Sequence, residues 1–335
     1  MNDEVPAPDK NSRQMRLIIA VIVVLVGVYG LLGGYIEEQR TLYEVNSIWD
    51  DASDLREAGS YEEALQLYNS VFGLISSNEY PLEYGMNHYY RGRAYEEISS
   101  VDTTNGSSYL QSSIYAYDSS LKFITEDEYP AEYARVQYSM GDSYLKLYAF
   151  NGDEGTLSAS IEYYNIALDH YSIAVDPVYF ASIHNKLGNA WRKKGNFEGD
   201  ASALGNSLDE YTEALRVFRA DIYPLEYAGV QNNLGNLYIE LSAYSDQKNN
   251  INNAIVSFNN ALEVYTLETR PVEYATVQNN LGNAYFALSE IENKESNVEL
   301  AVNAYNEALK VFTISLFPDA HDGVIYNIAK AYRSL

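Results

Sequence analysis

The chain has 335 residues, with 47 acidic against 22 basic side chains, no cysteine, and 47% hydrophobic and 13% aromatic residues. Without cysteine there are no disulfides, thiolate metal sites or cysteine nucleophiles, and a net charge of −25 argues against nucleic-acid binding, which needs a basic stripe to neutralise phosphates. The apolar and aromatic content excludes a wholly disordered chain. In chain order, residues 1–16 contain Pro6, Pro8 and mixed charge without an apolar period, which predicts a disordered tail. Residues 17–36, LIIAVIVVLVGVYGLLGGYI, carry no charge. A helix of that length covers about 30 Å, the thickness of bilayer hydrocarbon, so the sequence predicts one transmembrane helix. Lys10, Arg13 and Arg16 precede this run, and Glu37 and Glu38 follow it. The positive-inside rule then predicts a single-pass membrane protein with a cytoplasmic N-terminus and the rest of the chain extracytoplasmic.

The remainder is one unit copied. Pro81, Pro130, Pro177, Pro224, Pro271 and Pro318 are separated by 49, 47, 47, 47 and 47 residues, a period that marks a repeat architecture. Each proline is predicted to be the first residue of a helix: its fixed φ suits that position, it lacks an N–H that would be unpaired there, and a Glu two residues later favours the positive helix end in four copies. Apolar residues then recur at three and four, as in Tyr274, Val277, Leu281, Ala284, Tyr285 and Leu288. We name this helix A. Its internal glycine (Gly92, Gly141, Gly188, Gly235, Gly282) costs about 1 kcal/mol against Ala, so its recurrence predicts that a second helix packs where the side chain is missing. After a polar loop a second stripe follows, such as Ile251, Ala254, Phe258, Ala261 and Tyr265, which is helix B. One αα-hairpin cannot bury both faces, so neighbours must stack. Hairpins are expected to start near 41, 81, 130, 177, 224 and 271, forming a solenoid over 41–317 that is closed by a capping helix over 318–335.

The small and large residues follow L-G-x-x-[YW] in helix A and A-x-x-x-[FY]-x-x-A in helix B. Leu281, Gly282 and Tyr285 pair with Ala301, Tyr305 and Ala308; Leu234, Gly235 and Tyr238 pair with Ala254, Phe258 and Ala261. Residues 47–76 contain Ala52, Leu55, Ala64, Tyr68 and Val71 in the register of a shorter copy. On these residues the chain resembles the tetratricopeptide (TPR) repeat family. The expected fold class is therefore all-α, a TPR-type αα-hairpin superhelical solenoid preceded by a single transmembrane helix. The copy at 81–125 departs from the pattern, with Arg91 where the leucine should stand.

Family resemblance implies a concave groove, lined mostly by helix A, that receives a protein or peptide partner. Three asparagine pairs recur one helical turn apart: Asn185 and Asn189, Asn232 and Asn236, Asn279 and Asn283. They look like the asparagine ladder of peptide-binding arrays such as kinesin light chain, where amides hold an extended backbone by offering both donor and acceptor. Duplication of a polar residue with the repeat gives the same spacing, and Asn233 and Asn280 lie in the same helices. All 25 net negative charges fall after residue 36, because residues 1–16 hold three charges of each sign and 17–36 hold none, so basic partner segments would be steered toward the array. No metal spacing is formed by His88, His170, His184 and His321, and no nucleotide-binding loop is present, so neither a cofactor nor catalysis is expected. The expected function is a membrane-anchored, non-catalytic scaffold; the alternative is a self-associating structural component of a cell-envelope or membrane complex.

Overall fold

The computed structural model describes residues 10–335, with side chains from Leu32 onward and that of Met15. Among these residues there are thirteen helices and no strand. In order they are α1 (Lys10–Glu57), α2 (Tyr61–Val71), α3 (Pro81–Val101), α4 (Gly106–Leu121), α5 (Pro130–Asn151), α6 (Glu154–Leu168), α7 (Pro177–Glu198), α8 (Ala201–Leu215), α9 (Pro224–Leu241), α10 (Gln247–Leu262), α11 (Pro271–Ser289), α12 (Lys294–Leu309) and α13 (Pro318–Arg333). The six repeat prolines open α3, α5, α7, α9, α11 and α13. Each preceding residue is outside helical backbone, as the proline ring requires of its neighbour; Asp176, for example, has φ −148° and ψ 93° and accepts hydrogen bonds from Val178 N and Tyr179 N.

In five copies the recurring glycine of helix A faces a ring of its own helix B. A Cβ at Gly92, Gly141, Gly188, Gly235 or Gly282 would lie 2.4 to 2.6 Å from Tyr117, Tyr164, Tyr211, Phe258 or Tyr305. These five rings are buried, and they hold the two helices of each hairpin at a distance that only glycine permits. Apolar clusters run across the junctions between hairpins: Leu204 and Tyr211 of α8 share one with Val230 and Leu234 of α9. Helix A also contacts the next helix A all along the array, from α3 and α5 through α11 and α13, whereas successive B helices stand farther apart. Closer spacing on one side curves the stack toward that side, so the A helices line the concave face.

Three sequence expectations change. Among the described residues no helix is long and apolar enough to cross a membrane. From Leu32 the helix α1 acquires Glu37, Glu38, Arg40 and Glu44 within eighteen residues, too many charges for a span. The side chains at 17–31, on which the expected transmembrane helix over 17–36 rested, lie outside the described residues. The single-pass localisation with an extracytoplasmic array is corrected on this finding. Of the expected tail, residues 1–9 lie outside the described residues, and Lys10 already belongs to α1. At the other end Val324 and Ala331 of α13 are buried, but Ile325 and Tyr332 are exposed, because α13 is a helix A whose B-facing side meets no helix among the described residues.

Candidate functional site

The concave face is built from three positions around each helix A glycine: three residues before it, one after it, and four or five after it. Successive positions are three or four residues, about one turn, apart and so lie along one strip. In α7, α9 and α11 the first two positions are the asparagine pairs, and the structure brings all six into one row. Asn283 is exposed and the other five are half-buried.

The row is hydrogen-bonded from helix to helix. Asn233 donates Nδ2 to Asn185 Oδ1 at 3.2 Å, Asn280 to Asn232 at 3.1 Å, and Asn327 to Asn279 at 3.2 Å. Asn327 also donates to Asn283 at 3.3 Å. The rings that cover the glycines take part as well: Tyr211 donates its hydroxyl to Asn189 Oδ1 and Tyr305 donates to Asn283 Oδ1, each at 2.8 Å. Asn236 faces Phe258 instead, which has no hydroxyl, and among the described residues it makes no hydrogen bond. The asparagine pattern is thus partly internal mortar: one polar end of each of the other five amides is engaged within the array. Asn233, Asn280 and Asn327, the donors, carry half of this arrangement although the sequence reading set two of them aside. Their signal was a spacing of 48 residues, one more than the repeat, linking 185 to 233, 232 to 280 and 279 to 327.

The same positions in α3 and α5 hold Tyr89 with Arg93 and Tyr138 with Asp142, and here the face is ionic. Lys146 Nζ lies 2.6 Å from Glu96 Oε1, Lys186 Nζ lies 3.0 Å from Asp142 Oδ1, and Arg56 chelates Glu97 from the preceding hairpin. Tyr117 and Tyr164, the glycine-covering rings, donate to Glu96 at 3.1 Å and Asp142 at 2.5 Å. The Glu96 side chain is only 12% exposed, and burial, helped by the nearby Asp142, pushes its carboxyl above the usual range despite Lys146. Burial works against the charged Lys186, yet Asp142 outweighs it and raises the ammonium pKa. A cavity of about 280 Å³ opens on this strip, lined by Tyr89, Arg93, Glu96, Tyr138, Asp142 and Tyr179 among others. One further ion pair, Arg192 with Glu240 at 2.5 Å, ties α7 to α9.

No family model matches the sequence, and no curated protein matches it. Among solved structures the chain is similar to BtubC (BKLC) from P. vanneervenii, at 18% identity and a TM-score of 0.50, covering 74% of this chain and 89% of that one. It is less similar to the S. pombe nuclear import adaptor Nro1, at 14% identity and a TM-score of 0.46 over 88% of this chain and 99% of that one. For the TPR2AB domain of yeast Sti1, in complex with pHSP90, the identity is 16% and the TM-score 0.28, over 86% of this chain and 98% of that one. At these identities the likeness to BtubC concerns the fold alone: a helical array of the same kind.

Proposed function

We propose that the chain is a TPR-type scaffold that holds an extended polypeptide along the concave face of α7, α9 and α11. The observation that supports this reading is the continuous amide row, in which one end of each side chain is engaged internally or, at Asn236, neither end is. The remaining ends can meet a backbone without reading its side chains, since an amide supplies both a donor and an acceptor. Helices pack about 8–10 Å apart and an extended strand advances about 3.3 Å per residue, so a strand crossing the A helices would meet a new amide pair about every third residue. The array's net charge of −25 favours a partner segment rich in Lys and Arg.

The test is fluorescence anisotropy of the full chain against labelled extended peptides of graded positive charge. A basic peptide should bind, bind less tightly as salt rises, and lose about tenfold in affinity when Asn236 is changed to Ala, a side chain with no internal partner to disturb. Equal affinity for Asn236→Ala and the parent chain would sink the groove assignment.

A further inference from the structure

The repeat's leucine position carries a second site, on the opposite side of helix A. In four copies this position is apolar and buried: Met140, Leu187, Leu234 and Leu281. In α3 it is Arg91, two residues before Arg93 and so about 200° around the helix from the concave strip. Arg91 is only half-buried at this position, with the inner part of its guanidinium enclosed. Arg91 stacks over the Phe72 ring at 5.4 Å, but its Nε is buried without any hydrogen-bond partner, and among the described residues no carboxylate lies within ion-pairing distance of it. Arg135 and Arg192 also have an unpartnered Nε; Arg192 differs in having Glu240 at 2.5 Å, whereas Arg135, like Arg91, has no carboxylate within ion-pairing distance among the described residues. An unsatisfied buried donor is costly, so it is a place to look for an acceptor from outside the chain, and at Arg91 the surroundings offer room for one.

Arg91 opens onto a cavity of about 290 Å³ between α3 and α4, lined also by Tyr95, Ser108, Gln111, Ser112 and Tyr115. No acidic side chain lines it, in a chain with 47 of them. Ser112 donates to the Ser108 carbonyl at 3.0 Å, while the hydroxyls of Ser108, Tyr95 and Tyr115 and the amide of Gln111 make no hydrogen bond among the described residues. Ser108 lies in the first turn of α4, at the positive end of that helix. Lys122 stands over the Tyr115 ring at 5.9 Å and is shared with Asp118 at 3.2 Å. The neighbourhood is cationic enough to act on His88, one turn before Arg91: burial first, then Arg91 and Lys122, lower its pKa to about 4.

We propose that this cavity binds a tetrahedral oxyanion, a phosphate monoester group, with Arg91 as the charge and Ser108, Gln111 and Tyr95 as neutral donors. The guanidinium fork matches phosphate geometry, and the hydroxyls and amide can rotate to complete the shell. The chain's overall negative charge does not forbid it, because at about 0.15 M salt exposed charges are screened beyond roughly 8 Å. Such a site is independent of the concave groove and would stand if the peptide assignment failed.

The test is phosphorus NMR titration of the full chain with two probes, inorganic phosphate and O-phosphoserine, with sulfate as competitor. Both probes should bind saturably and be displaced by sulfate. Tighter binding of O-phosphoserine assigns the group to a side chain or other ester; equal binding assigns it to the free anion, and either supports an oxyanion site. Arg91→Leu should weaken binding at least tenfold while melting no lower than the parent chain, since leucine is what the other repeats place there. Arg91→Lys, which keeps the charge without the fork, should fall between the two. Absence of saturable binding to the parent chain, or binding unchanged by Arg91→Leu, overturns the proposal.

Discussion

The concave face is one strip of backbone with two kinds of chemistry. Over α3 and α5 its polar groups are charges that neutralise one another: Glu96 with Lys146, Asp142 with Lys186, Glu97 with Arg56. Over α7, α9 and α11 they are chiefly amides joined across helices at 3.1 to 3.2 Å, with the ion pair of Arg192 and Glu240 beside them. An ion pair taken out of water is costly to break, because the abandoned charge remains desolvated, whereas an amide that loses one partner leaves a neutral dipole. The ionic half is therefore suited to holding its hairpins in one arrangement, and the amide half to exchanging an internal partner for an external one.

Five measurements would break or sharpen this comparison. The largest effect should come from the feature that both halves share. Changing Gly141 or Gly188 to Val drives a side chain into Tyr164 or Tyr211, and either change should cost about 3 kcal/mol in thermal or denaturant unfolding. Unequal costs would show that the hairpins are not built alike. Next, Glu96→Ala strands Lys146 and removes the acceptor of Tyr117; with the Lys146 side chain 42% exposed and able to reach water, about 2 kcal/mol is expected. Asn232→Ala, which strands only the Asn280 amide, should cost about 1 kcal/mol. A reversed order would refute the distinction between the halves.

Acid should also separate them. The carboxyl of Glu96 is raised in the folded chain, so the folded state holds its proton more tightly than the unfolded state does. This contribution favours folding below the ordinary glutamate pKa and is lost as pH rises from there through the raised value. Glu96→Gln should therefore flatten the dependence of melting temperature on pH in that window, while Asn232→Ala should leave it unchanged. The smallest effect belongs to Phe258→Tyr. The new hydroxyl can reach Asn236 as Tyr211 reaches Asn189, which should add about 0.5–1 kcal/mol of stability and reduce the affinity for a groove peptide. A more stable variant with undiminished peptide binding would show that Asn236 does not touch the partner.

How much of this was legible depended on how local the cause is. Pro177 states where α7 starts because the ring fixes φ and lacks a donor, and Asp176 caps the same helix; both facts belong to adjacent residues. The pairing of Gly188 with Tyr211 was legible in kind, as a small residue awaiting a large one, because the repeat restates it five times. The asparagines were legible as a row but not as a bonded one. Which amide faces Asn185 depends on how far each helix A is displaced against the next, and that displacement turns the 47-residue repeat into a 48-residue bond. Arg91 was visible as a departure from the pattern, but its stacking on Phe72 and, Tyr95 apart, the cavity beyond it come from residues seventeen or more positions away.

By itself, then, the sequence determined the helices, their pairing and the repeat, because proline geometry, turn-spaced apolar residues and a missing side chain act over a few residues and were written several times. The tertiary structure alone decided which polar groups satisfy one another across neighbouring hairpins. Among the described residues that distribution leaves Asn236 and Arg91 without hydrogen-bond partners, since hydrogen bonds between helices are set by the offset of the stack and not by the spacing along the chain.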